Sequence, residues 1–136
     1  MALLTITGSQ VVSISGGTFV DALASAALTA GDVVYLNTAG KFALARNDLT
    51  TLEAKAIGLA LHGASANQPM RVQTSGIISL GTGAAPVSGA VYALASTPGG
   101  IWLVSDILAA QQVTLIGIGI GTNQIMLNIV SSGVVK

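Results

Sequence analysis

The sequence predicts an all-β fold, a compact barrel or sandwich, and three observations carry that prediction. Short β-branched runs recur along most of the chain, each is bounded by Gly, Pro, Asn or Ser, and successive runs follow at a spacing of about ten residues. In chain order the expected strands are 32–36, 41–45, 54–61, 70–74, 76–80, 90–95, 101–105, 113–120 and 124–130. Asn37-Thr38-Ala39-Gly40 and Ser96-Thr97-Pro98-Gly99-Gly100 supply residues that tolerate positive φ or preset a turn, so each is suited to close a hairpin.

Residues 1–30 form an N-terminal arm or the first strands, with a possible short helix from about Phe19 to Leu28. Thr18 is placed to cap that helix, Asp21 follows three residues later, and Gly31 lies just past its end. The same Ala- and Thr-rich stretch also fits an extended arm, with Ser13-Ile14-Ser15-Gly16-Gly17 as a flexible joint. Leu3, Leu4, Ile6, Val11, Val12 and Ile14 suit either a strand added to a neighbour's sheet edge or an ordinary first strand of this domain.

Residues 31–136 read as one β domain made of two pseudo-repeats, about 31–80 and 88–136. Asp32-Val33-Val34-Tyr35-Leu36, Gly40-Lys41-Phe42, Ala56-Ile57-Gly58-Leu59-Ala60, Met70-Arg71-Val72 and Ser75-Gly76-Ile77 follow in order. The second half answers with Gly89-Ala90-Val91-Tyr92, Gly100-Ile101-Trp102, Leu115-Ile116-Gly117-Ile118-Gly119, Ile125-Met126-Leu127 and Ser132-Gly133-Val134. Glycine inside a strand weakens it unless a bend, a bulge or a close backbone approach requires it, so Gly58, Gly117 and Gly119 are expected at barrel corners. The alternation of Ile116, Ile118 and Ile120 predicts that all three face the core.

Composition narrows the function. The 136 residues carry five Lys plus Arg against five Asp plus Glu, so no basic excess is available to neutralise phosphates, and nucleic acid is not an expected partner. Only 7% of residues are charged while 51% are hydrophobic, against about 25% charged in an average soluble domain. A membrane-spanning helix is not expected, because polar and Gly interruptions such as Gly81-Thr82-Gly83 and Thr122-Asn123-Gln124 break every apolar stretch before about 20 residues. The opening Met1-Ala2-Leu3-Leu4-Thr5-Ile6-Thr7 lacks the basic and sustained apolar regions of a secretory signal. A chain so poor in charge is therefore expected to cover its apolar surface with copies of itself or with a partner. The absence of cysteine excludes disulfides and thiolate metal sites.

No catalytic or cofactor constellation emerges. A Ser-His-Asp arrangement would have to use His62, the one histidine, and no Ser sits in a Gly-x-Ser-x-Gly elbow. Asp21, Asp32, Asp48, Glu53 and Asp106 are too scattered to predict a carboxylate pair or a metal cluster. Gly117-Ile118-Gly119-Ile120-Gly121 lacks the following Lys of a phosphate loop and reads as strand and turn. An enzyme, a cofactor and a metal are thus not expected. Half of all charges, Lys41, Arg46, Asp48, Glu53 and Lys55, fall within 15 residues, as a solvated loop or a polar contact with a partner. Tyr35, Phe42, Tyr92 and Trp102 read as core or rim residues, with an exposed Trp able to anchor an interface.

The stretch Leu28-Thr29-Ala30-Gly31-Asp32-Val33-Val34-Tyr35-Leu36, followed by Ala56-Ile57-Gly58-Leu59-Ala60, Val87-Ser88-Gly89-Ala90-Val91-Tyr92 and Leu115-Ile116-Gly117-Ile118-Gly119, resembles the small capsid decoration proteins of tailed bacteriophages. The resemblance covers residues 28–136 and rests on order and spacing. It implies a β-rich homotrimer on the outer capsid surface of the virion, made in the host cytoplasm, with the major capsid protein as partner and a cementing role over capsomer junctions. Candidate interface residues are Leu3, Leu4, Ile6, Val11, Val12, Arg46, Asp48, Glu53 and Trp102. The alternative is a phage fibre or spike head domain that binds cell-surface glycans through an exposed aromatic platform.

Overall fold

The computed structural model describes residues 3–121 and 123–136. Met1 and Ala2, which open the stretch weighed as a secretory signal, and Thr122, in one of the polar interruptions, lie outside the described residues. The chain is nearly all-β, a single antiparallel sheet curled into a half-barrel. Its strands are β1 (Val12–Leu23), β2 (Val33–Leu36), β3 (Phe42–Leu44), β4 (Gly58–Ala60), β5 (Pro69–Ser79), β6 (Val91–Leu94), β7 (Ile101–Leu103), β8 (Gln112–Gly121) and β9 (Gln124–Val135), with 3-10 turns at Gly8–Gln10 and Val104–Asp106.

The sheet order β3-β2-β4-β5-β9-β8-β6-β7 reads the same from either end once β2–β5 is matched with β6–β9, so the two pseudo-repeats are two copies of one strand plan. Their hairpins share a register: Leu36 lies opposite Phe42 in the first, and Ala93 opposite Trp102 in the second. Both turns close as their residues dictate. The Asn37 carboxamide oxygen accepts from the amides of Ala39 and Lys41, with Gly40 at φ 75°, and Gly99 takes the same φ in the second turn. The repeats join where β5 pairs with β9, Ser75–Ser79 against Gln124–Asn128. The outer hairpins β2/β3 and β6/β7 do not pair strand to strand. Instead, the end of β3 and its following loop meet the second turn through Gly99 N–H to Ala45 O (2.8 Å) and Asn47 N–H to Ala95 O (3.2 Å).

Two apolar clusters fill this frame. The central one combines both repeats, including Val33, Leu59 and Ile78 from the first and Leu94, Ile101, Ile116 and Ile125 from the second. The other lies on the opposite face of the first repeat, where Val34, Phe42, Ala60, Met70 and Val72 pack under Ala24 and Leu28. Adjacent Val33 and Val34 point into different clusters, as strand pleating requires.

Gly58 and Gly117 answer the sequence argument directly. A Cβ on Gly58 would run into the Gln73 carbonyl, and one on Gly117 into the Met126 carbonyl, at matching places where β4 crosses β5 and β8 crosses β9. Residues 3–30 are tied into the sheet, since Leu4 N–H bonds Ile101 O, Thr7 N–H bonds Leu80 O, and Val11, Ala24 and Leu28 are buried. Two expectations need correction. No helix spans residues 19–28: β1 continues through Phe19–Leu23 because those residues pair with Pro69–Gln73, and Thr18 spends its hydroxyl on Thr74 and Ser75 rather than on a cap. Ile118 does not share the buried face of Ile116, because register shifts in β8 between Leu115 and Gly117 turn it outward.

Gly117→Ala is expected to lower the unfolding free energy by about 3 kcal/mol, since backbone rather than a yielding side chain blocks the methyl group. Gly63→Ala, whose nearest neighbour would be the Leu28 carbonyl at 3.5 Å, is expected to stay within about 0.5 kcal/mol of wild type. Denaturant unfolding at one fixed protein concentration measures both.

Candidate assembly surface

β1 is a 12-residue strand of which no residue is buried. It binds β5 along one edge and leaves the other unpaired among the described residues. Its course follows from a step in both strands: Gly16 and Gly76 take φ of 66° and 89°, and a Cβ on Gly76 would stand 2.5 Å from the carbonyl carbon of Gly16. Beyond that step, Asp21 faces Arg71 in register and accepts from Nε at 2.9 Å and from a terminal guanidinium nitrogen at 3.1 Å. The Arg71 guanidinium also lies 5.5 Å from the centre of the Phe19 ring. Val12, Ile14, Phe19, Val20 and Leu23 all remain exposed on this strand.

A second exposed apolar area lies on the outer face of β8 and β9. Ile118 pairs with Met126 and Leu115 with Val130, and Ile118, Met126 and Val130 are 44–47% exposed. Val91, Leu115, Ile118 and Val130 line a shallow hollow of about 140 Å³. β9 pairs with β5 only as far as Asn128, so its edge beyond that point has β8 on one side and no strand on the other among the described residues.

The residues singled out by sequence are dispersed rather than gathered in one patch. Val12 and Leu3 are exposed, and Leu3 borders an open cleft of about 430 Å³ between the N-terminal segment and the Pro98–Gly100 turn. Leu4 and Ile6 pack against the central cluster. Val11 and Trp102 leave the interface set: Val11 turns into the central cluster just before β1, and Trp102, in β7, is 4% exposed. Arg46 and Asp48 form a two-pronged ion pair at 2.7 and 3.1 Å, which holds the Asp48 carboxyl below its ordinary range. Glu53 exchanges hydrogen bonds with Thr50 and offers its backbone carbonyl to Arg46 N–H, so the charged residues order their own loop. On that loop Leu49 and Leu52 are exposed.

Phe19, Val20, Leu23, Met126 and Val130 were not among the sequence candidates. One shared feature is the Ser-Gly step, which lies within a strand at Ser15-Gly16 of β1, Ser75-Gly76 of β5 and Ser132-Gly133 of β9, each glycine at positive φ, although Ser88-Gly89 has the same pair and sign of φ in a turn. His62 is engaged at both ring nitrogens, Nδ1 with Gly63 O at 2.8 Å and Nε2 with the Arg71 amide at 3.2 Å. The buried polar residues serve the backbone: Asn47 donates to Leu94 O, Gln73 to Ser75 O and Thr114 to Ala54 O. Among the described residues no helix is long and apolar enough to cross a membrane.

These features define a repeat-built, all-β half-barrel whose most distinctive surfaces are apolar strand edges. No protein-family model matches the chain, and no curated protein shows significant similarity to it.

The guanidinium of Arg71 holds the Asp21 carboxyl below its ordinary value, chiefly by direct hydrogen bonding. Because the folded-state value is depressed, the ion pair contributes fully above the ordinary carboxylate range of about 4 and is lost as pH falls through the lowered value. Amide protection factors over Val20–Ala22 are expected to drop on acidification, and Asp21→Asn is expected to start lower and respond less. Hydrogen exchange corrected for intrinsic rates measures this.

Proposed function

We propose that this chain is a non-enzymatic virion structural protein that decorates and cements the outer capsid surface of a tailed phage, acting as a homo-oligomer, a trimer, across capsomer junctions. The observation that carries the proposal is the exposed apolar strand β1 on a chain with very little charge, together with the sequence resemblance to capsid decoration proteins. A clamp on a pressurised shell must contact several subunits and dissociate slowly. Large apolar interfaces and added strands supply that without reactive groups. Low charge also makes such contacts less sensitive to salt. The ordered loop carrying Arg46, Asp48 and Glu53, with Leu49 and Leu52 exposed on it, is suited to a mixed polar and apolar contact with the major capsid protein.

The glycan-binding alternative calls for an exposed aromatic platform; Phe42, Tyr92 and Trp102 are buried and Tyr35 is half-buried, which leaves Phe19 as the single exposed aromatic, with the Arg71 guanidinium 5.5 Å from its ring centre. The cementing reading is therefore the one retained.

Purified protein mixed with capsids that lack it is expected to co-sediment with them at saturable stoichiometry and to raise their heat-disruption temperature. A protein that neither binds such capsids nor protects them would overturn the proposal.

A further inference from the structure

The two repeats share a strand plan but differ in how they are covered. On the first, the outer face built by Val34, Phe42, Ala60, Met70 and Val72 is buried beneath Ala24 and Leu28. That cover is fastened by Ser25 N–H to Phe42 O at 2.8 Å and by paired bonds between Leu28 and Ala64 at 2.8 and 3.0 Å. On the second repeat the outer face is buried at Ala93 and Trp102, the counterparts of Leu36 and Phe42, but over β8 and β9 it has no comparable cover among the described residues. Val91, the counterpart of Val34, lines the apolar hollow there, and Ile118, Met126 and Val130 stay exposed.

The Ser-Gly step shows the same difference. Gly76 is pressed against the Gly16–Gly17 backbone of β1, whereas Gly133, with φ of the same sign and the same preceding serine, has nothing within 4 Å of where its Cβ would stand. Among the described residues the second repeat thus lacks an apolar cover over β8 and β9 and a strand beside its Ser-Gly step. In the first repeat both come from one segment, residues 12–28.

We propose that β1 of a second copy of this chain supplies both, pairing through its free outer edge with the free edge of β9 over Val130–Val135 and laying exposed apolar side chains against Ile118, Met126 and Val130. Charge permits it: β1 carries only Asp21, already paired with Arg71, and β9 carries no charged residue. Each chain contributes both β1 and β9, so every contact is satisfied either by two copies exchanging them about a two-fold axis or by head-to-tail copies in a closed ring. The inference rests on the self-assembly part of the proposed function and is independent of the capsid.

The test uses the full chain, which has no cysteine of its own. Val20→Cys and Val130→Cys chains bearing different tags are co-expressed and oxidised, and the disulfide joining the two kinds of chain is expected to exceed either like-with-like disulfide at least tenfold. In parallel, Val130→Glu is expected to reduce the sedimenting mass to one chain, while Leu49→Glu, at another exposed apolar position, leaves it unchanged. Predominant like-with-like disulfides, an assembly indifferent to Val130→Glu, or a monomeric wild type would overturn the inference. A wild type that assembles, with the Val20→Cys and Val130→Cys chains cross-linking as expected, yet ignores capsids would leave it standing and sink the cementing role instead.

Discussion

The pairing of Ser75–Ser79 with Gln124–Asn128 is the contact on which the rest of the molecule depends. Each repeat is a hairpin followed by two further strands, β4 and β5 in the first and β8 and β9 in the second, which is too little to enclose a core alone. Joining the two long strands at the middle of the sheet turns two partial layers into one curved surface. The central cluster then draws on both repeats, with Leu59 and Ile78 meeting Leu94 and Ile116. The curl in turn imposes close crossings at Gly58 and Gly117, where a methyl group would meet a backbone carbonyl. These glycines are a cost to strand propensity that the shared core offsets.

Much of this architecture was legible because it is local or repeated. The turns at residues 37–40 and 96–100 announce themselves through Asn, Pro and Gly, whose backbone preferences act whatever the tertiary context. The repeat was legible because similar crossings demand similar residues, which keeps Gly58 and Gly117 in step. Two errors share a different origin. Alternation predicted Ile118 inward, but a bulge depends on how neighbouring strands fit, and one extra residue reverses every face beyond it. The stretch from Phe19 to Leu28 carries cap-like residues at helical spacing, yet pairing with β5 and the Asp21–Arg71 bridge override that weak local preference.

The candidate assembly surface was less legible for a related reason. Exposed and buried apolar residues are the same residue types, and which is which depends on what lies over them. Val11 and Val12 are neighbours, yet the first is 8% exposed and the second 54%. Trp102 carries the properties of an interface anchor and is nonetheless enclosed. Val130 shows no sequence feature that separates it from Ile125, which is fully buried. The low charge content indicated that some apolar surface needed covering, and only the fold says where that surface is.

The character of the free edges bears on why they are there. Unpaired strand edges invite association, and proteins that remain monomeric commonly blunt them with lysine, proline or short length. Here β1 runs 12 residues without Lys or Pro, its one charge is neutralised across the strand pair, and β9 from Ile129 to Val135 has no charge at all. The charge that might have guarded these edges lies elsewhere, half of it between Lys41 and Lys55. Gly16 and Gly133 add a bend to each edge, which limits the partners that can follow them to strands bent in the same way. An edge left open to association but shaped by a specific bend favours pairing with its own kind over indiscriminate aggregation. That combination fits the assembly proposed above, in which the missing protection of the edges is what lets one copy pair with the next.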